Sequence, residues 1–176
     1  MLPGVHVSIR RGYAAAARTA KALGAASFQY FPKNPRSLAV KSFDVRDARE
    51  CAAYCREHGL LSIAHAPYPL NIADARSKMR SAIVASVRND LAIAEACGSL
   101  GVVVHFGRYR GPDPLQAYEN SLQCLDEALS GWQGRAMILL ENLAGEGTDI
   151  GMTFEECAVL RRMSRHPERI GFCLDT

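Results

Sequence analysis

Apolar residues along this chain gather in six short runs, and the longer stretches between them carry apolar positions three and four apart. The runs are residues 4–8, 25–31, 60–64, 101–104, 136–140 and 170–174. Their length and their glycine, proline or charged boundaries predict strands. The run at 136–140 leads into Glu141-Asn142 and a glycine-punctuated loop ending at Gly151. It is expected to be a strand buried on both faces, with the Glu141 carboxylate emerging where the strand ends.

The intervening stretches predict helices. Residues 13–23 form an alanine-rich helix closed by Gly24, and Asp44 caps a helix with Val45, Ala48, Ala52 and Cys55 on one face, ending at Gly59. Met79, Ile83, Val87, Leu91 and Ala94 mark the next, and Leu115, Tyr118, Leu122, Leu125 and Leu129 the one after. Thr153 with Glu156 three residues on is a capping box that opens the last.

Strand followed by helix, repeated with no hairpin signal, predicts parallel strands joined by right-handed crossovers. A doubly wound sheet would concentrate chemistry at one switch point, whereas here polar, reactive residues follow nearly every strand. The expected fold is therefore α/β, a (β/α)8 TIM-barrel type. A closed barrel takes about 200 residues or more, so residues 1–176 are expected to form one incomplete barrel domain with about six of the eight βα units, lacking the last two.

Composition narrows the picture only slightly. With 48% hydrophobic and 22% charged residues the chain can bury a core, and no apolar run nears the ~18 residues of a membrane span. Six scattered cysteines without Cys-x-x-Cys spacing read as small buried hydrophobes in a reducing compartment, and a cytoplasmic location is expected. The net charge of +3, carried mostly by arginine, permits an anionic partner without requiring one.

The strand ends change the picture more. Runs three to six are followed by His65, His105, Glu141 and Asp175. A single strand-end histidine is commonly structural, but four metal-competent residues in succession would meet at one barrel mouth, where imidazoles and carboxylates suit zinc or a similar divalent ion. Gly107, Gly145, Gly147 and Gly151 beside them allow close backbone approach to a substrate. Arg10, Arg11, Lys33, Arg36, Arg108 and Arg110 follow the same strand ends, with Tyr68 and Tyr109 among them, a pattern suited to a polyanion with exposed bases or sugars.

Taken in order, His6-Val7-Ser8, the 28–36 segment with Phe31, Lys33, Asn34 and Arg36, His65-Ala66-x-Tyr68-x-x-Asn71, His105-x-Gly107, the block from Glu141-Asn142 through Ala144-Gly145, Gly147-Thr148 and Ile150-Gly151, and Cys173-x-Asp175-Thr176 resemble the N-terminal part of the endonuclease IV family. These are zinc-dependent apurinic/apyrimidinic endonucleases of base-excision repair. The resemblance implies a hydrolase that cuts the phosphodiester 5′ to an abasic site in duplex DNA. It implies that His65 and His105 hold one zinc, that catalytic Glu141 bridges to a second, and that Asp175 ligates the second. The complete family enzyme carries three zinc ions, so at most partial occupancy is expected here. Arg36 and Tyr68 match residues that enter the damaged duplex, and Lys33, Asn34, Asn71 and Arg108 are the further expected DNA contacts. Phe106 stands where the family has proline, and Pro69 where an apolar wedge often follows Tyr68.

Alternatives from other classes are a divalent-metal sugar isomerase or epimerase of the related barrels, and a non-catalytic truncated remnant. The expected behaviour is monomeric for a complete enzyme, and association-prone with negligible cleavage for these residues by themselves.

Overall fold

The computed structural model describes residues 3–73, 77–109, 111–143 and 150–175. Six strands, β1 (Gly4–His6), β2 (Ser27–Tyr30), β3 (Leu61–His65), β4 (Gly101–His105), β5 (Met137–Glu141) and β6 (Ile170–Cys173), form one parallel sheet in the order β1-β2-β3-β4-β5-β6. Helices α1 (Tyr13–Ala22), α2 (Val45–Glu57), α3 (Ser77–Ala96), α4 (Pro114–Leu129) and α5 (Phe154–Met163) connect successive strands, and a 3-10 turn (Pro167–Arg169) leads into β6. Sequential parallel order with a helix in every crossover is the arrangement of a TIM barrel, and no β1–β6 pairing occurs among the described residues. No helix is long and apolar enough to cross a membrane among the described residues.

The core lies between the outer face of the sheet and the helices. Phe28, Tyr30, Ala64, Val102, Val104, Ile138, Leu140 and Ile170 point outward and are buried together with Ile83, Val87 and Leu91 of α3 and Leu125 and Leu129 of α4. Each such fully buried aliphatic side chain contributes about 1.5–3 kcal/mol. Buried hydroxyls in this layer pair with one another: the Ser99 hydroxyl meets Tyr30 Oη at 2.9 Å and Ser62 Oγ at 2.8 Å. All six cysteines are free, and all but Cys173 are buried.

The expectation that β5 is covered on both faces is corrected. Ile138 and Leu140 are fully buried, but Met137 and Leu139 on the other face are only partly covered. That face looks into the concave side of the six-stranded sheet, where nothing among the described residues closes over it. Only β4, in the middle of the sheet, has both faces buried up to its last residue.

Helix starts follow the capping chemistry. Asp44 accepts from the N–H groups of Arg46 and Asp47, Asp113 from Leu115, and Thr153 and Glu156 complete a reciprocal capping box. One cap comes from a neighbour: Asp47 of α2 accepts from Tyr13 N at 2.6 Å and Ala14 N at 3.2 Å, so it closes the start of α1 where Gly12 offers no side chain. Alanines on α1 and a buried Cys51 and Cys55 on α2 let these two helices lie close, which settles the first crossover.

Candidate metal centre

His65, His105 and Glu141 are the last residues of β3, β4 and β5, rather than the first residues beyond them. Strand alternation puts them on the concave face, because the residues before each (Ala64, Val104 and Leu140) are buried outward against the helices. His105 pairs in register with Glu141, and Glu141 with Cys173, so three neighbouring strands present one row of side chains at the mouth. Ligand atoms of His65, His105 and Glu141 all lie within 4.8 Å of one another.

The geometry within this group is specific. Glu141 Oε2 is 2.5 Å from His105 Nε2 and 3.6 Å from His65 Nε2. His65 Nδ1 lies 2.7 Å from the Ala66 carbonyl oxygen; that oxygen only accepts, so Nδ1 carries a proton and Nε2 is the nitrogen turned to the site. Burial pushes the Glu141 carboxyl upward, but the hydrogen-bonding and charge of His105 and His65 outweigh it and bring the pKa down to about 2. Glu141 is therefore a carboxylate at neutral pH. Its Oε2 is buried between the two imidazoles, whose Nε2 atoms are the groups that reach it. Two imidazole nitrogens and an ionised oxygen crowding one buried point are donors that could hold a first-row divalent cation, and the residues present fit zinc.

Rings support the ligands. His65 and His105 meet edge to face at 5.0 Å, Phe31 packs on His65 at 5.2 Å, and His6 and Tyr68 contact Phe31 at 5.0 and 5.1 Å. Phe31 thereby joins the ends of β1, β2 and β3, a role that its place in an apolar run did not single out. Cys173 was likewise missed as a site neighbour. Its Sγ donates to Glu141 Oε1 at 3.7 Å, and burial, reinforced by the Glu141 charge, pushes its thiol up to about 11. The signal available was Cys173-x-Asp175, which puts both residues on one face of an extended strand.

The remaining expected residues fall into two groups. Arg36, Tyr68, Asn34 and Arg108 are exposed on the same rim, as are Arg10 and Arg11. Asn34 Oδ1 accepts from Arg36 N at 3.0 Å, and the Pro35 carbonyl accepts from Tyr68 N at 2.8 Å, so the loop after β2 holds the loop after β3. A hollow of about 390 Å³ joins Tyr68, Asn71, Arg108 and His105, and a larger cleft of about 940 Å³ runs between the loops after β1 and β2, past His6, Arg10 and Asn34.

Three placements differ from expectation. Lys33 does not face the mouth: it is buried and paired with Asp90 of α3, because a rigid Pro32–Pro35 loop turns its side chain inward. Asn71 spends both ends of its amide on backbone, donating to the Arg108 carbonyl at 2.8 Å and accepting from Ala73 N at 3.1 Å, so it staples the loops after β3 and β4. Asp175 is exposed and stands outside the three-residue group, since the place beside Glu141 in the register goes to Cys173. Its backbone is held instead, with the N–H donating to Asn142 Oδ1 and the carbonyl accepting from Asn142 Nδ2, both at 2.9 Å. Phe106 is fully buried, and its ring lies where a Cβ on Gly151 would have to go. Arg110, Ala144, Gly145, Gly147, Thr148 and Thr176 lie outside the described residues.

A parallel α/β sheet with a His-His-Glu cluster at its strand ends defines a TIM-barrel protein with a metal-type mouth. The chain belongs to the xylose isomerase-like TIM barrel family, whose model matches residues 17–176. Within that family, a probable endonuclease 4 of Symbiobacterium thermophilum is 38% identical over 173 residues, covering 98% of this chain and 63% of that protein. A probable endonuclease 4 of Heliobacterium modesticaldum is 34% identical over 177 residues, covering 100% of this chain and 64% of its own length. The crystal structure of endonuclease IV from Thermus thermophilus superposes with a TM-score of 0.82 at 35% identity, over 99% of this chain and 62% of that one. The endonuclease IV resemblance carried by the motifs is upheld by these relatives. A D-psicose 3-epimerase structure superposes at a TM-score of 0.71 with 11% identity, over 99% of this chain and 63% of that one, and shares the fold alone. The chain thus spans a little over three-fifths of the relatives it matches.

Proposed function

We propose that this chain carries part of the metal centre and DNA-facing rim of a zinc-dependent apurinic/apyrimidinic endonuclease, acting on the phosphodiester 5′ to an abasic site in duplex DNA. The observation that carries the reading is the convergence of His65 Nε2, His105 Nε2 and the ionised Glu141 on one point. A zinc ion held by these three would supply a Lewis acid for a phosphoryl oxygen and acidify a water. Glu141 would serve as the anionic donor between the two histidines, and its second oxygen, which accepts from Cys173 on β6, is the one that would face a further ion. Asp175, two residues beyond Cys173 and held through its backbone by Asn142, is the residue proposed to reach that ion.

On the rim, Arg36 is the phosphate contact and Tyr68 the stacking wedge, both exposed and both set by the Pro35 loop. Asn34 and Arg108 add polar contacts, whereas Lys33 and Asn71 act from within the scaffold. The sugar epimerase reading rests on fold likeness at low identity, and no observed residue favours it. The proposal includes a cytoplasmic, reducing setting, in keeping with six free cysteines.

Among the described residues, one group of three donors could hold an ion and no second such group is present, so the 176 residues by themselves are proposed to nick DNA negligibly. The test is a chimera in which this chain is joined to the portion of the Symbiobacterium relative outside the match. The zinc-loaded chimera is expected to nick a duplex with one abasic analogue and spare an undamaged control, with chelator abolishing the cut. A zinc-loaded chimera that leaves the abasic duplex intact would overturn the proposal.

A further inference from the structure

Lys33 and Asp90 form an ion pair out of reach of water. Lys33 Nζ is 2.9 Å from Asp90 Oδ1, and the two side chains are 2% and 0% exposed. The same ammonium donates to the Ser86 carbonyl at 2.9 Å and to Ser86 Oγ at 2.8 Å. Both Asp90 carboxylate oxygens are buried with no hydrogen bond of ordinary geometry among the described residues, so it is charge that ties Asp90 to Lys33. Taking such a pair out of water costs about as much as the attraction returns, and apolar replacements of similar volume are often as stable. Stability alone is a poor explanation for it.

Its location offers a better one. Lys33 lies two residues beyond Phe31, the ring that packs on His65 and Tyr68. Two residues further, the Pro35 carbonyl receives the Tyr68 N–H, and Asn34 fixes the Arg36 backbone. Ser86 and Asp90 are one turn apart on α3, the helix that follows the His65 loop. If residues 32–37 shifted outward, Asp90 would lose its ion-pair partner and stay as an unpaired polar group in the core, which disfavours other positions of this loop.

We propose that the buried Lys33–Asp90 pair is a positioning device: it bolts the 32–37 loop to α3 so that Phe31 holds the His65 ring and Pro35 holds Tyr68. The inference rests on the reading of His65 as a metal ligand, and it assigns the pair a conformational role that neither residue type nor burial alone requires.

The test compares the full chain with Lys33→Met/Asp90→Val, which removes both charges together, and with Asp90→Asn, which breaks the ion pair and keeps the side chain's shape. Melting midpoint, amide hydrogen exchange at residues 31–37 and 66–70, and zinc affinity by chelator competition are read on each. The double variant is expected to melt within about 5 °C of the parent. It should nevertheless lose exchange protection at Tyr68 and bind zinc about tenfold or more weakly, as outer partners of metal ligands do. Unchanged protection and zinc affinity in a folded double variant would overturn the proposal. Should the double variant not fold, Asp90→Asn decides: faster exchange at Tyr68 than in the parent supports the bolt, and parental exchange in a folded Asp90→Asn refutes it. If the parent itself binds no zinc, the metal reading fails, while the exchange comparison still judges the bolt.

Discussion

Gly107 shows how much one position at the mouth constrains. Its φ of +91° lies in the left-handed region, and a Cβ there would collide with Asn71 Oδ1 and stand 2.8 Å from Asn71 Cα. An alanine would therefore be strained and would also displace the amide that staples the loops after β3 and β4. Gly107→Ala is expected to cost about 1–3 kcal/mol, seen as a lowered melting midpoint, with the Tyr68–Arg108 hollow disturbed. An unchanged midpoint would mean that the loop relaxes freely. The same local logic explains why residue types alone misjudged Lys33. A cation in a strand-end loop looks like a phosphate contact, and only the distant Asp90 and Ser86, brought in by α3, reveal its actual partners.

At the scale of elements, the run-and-spacing pattern located every strand and helix, because buried strands and amphipathic helices leave periodic marks that burial enforces. The boundaries were less legible. His65, His105 and Glu141 complete their strands, since a polar residue can occupy the last ladder position when its side chain faces the concave side. The 3-10 turn before β6 and the Asp47 cap on α1 left no local signal, the latter because it joins residues far apart in sequence.

Local chemistry was legible where it is local. The Thr153–Glu156 box is formed as expected, and Glu156 also accepts from Tyr118 Oη at 2.6 Å. Burial tends to raise the Glu156 pKa, but the Tyr118 and Thr153 hydrogen bonds outweigh it and hold the pKa below its ordinary 4.5. A depressed carboxyl stabilises the fold above the unfolded value, and that contribution is lost as pH falls through the folded value. The gap in melting midpoint between the parent and Glu156→Gln is therefore expected to be largest near pH 7 and to shrink once the pH drops below 4.5. A gap that is constant with pH would assign the effect to packing.

At the scale of the molecule, the parallel order gathers six strand ends onto one rim, and that is what turns separate sequence motifs into a site. The histidine pair and Glu141 were legible because each closes an apolar run in a repeating βα pattern. Asp175 was legible as a residue of the rim, but its distance from the cluster depends on the β6 register, which the sequence does not display. The most direct test of the metal centre is a zinc titration by chelator competition on this chain and on His65→Ala, His105→Ala and Glu141→Gln. The expected result is saturable binding of about one ion per chain or less, weakened about tenfold or more, roughly 1.4 kcal/mol, by each substitution while the fold is retained. Equal zinc affinity in all four proteins would contradict it.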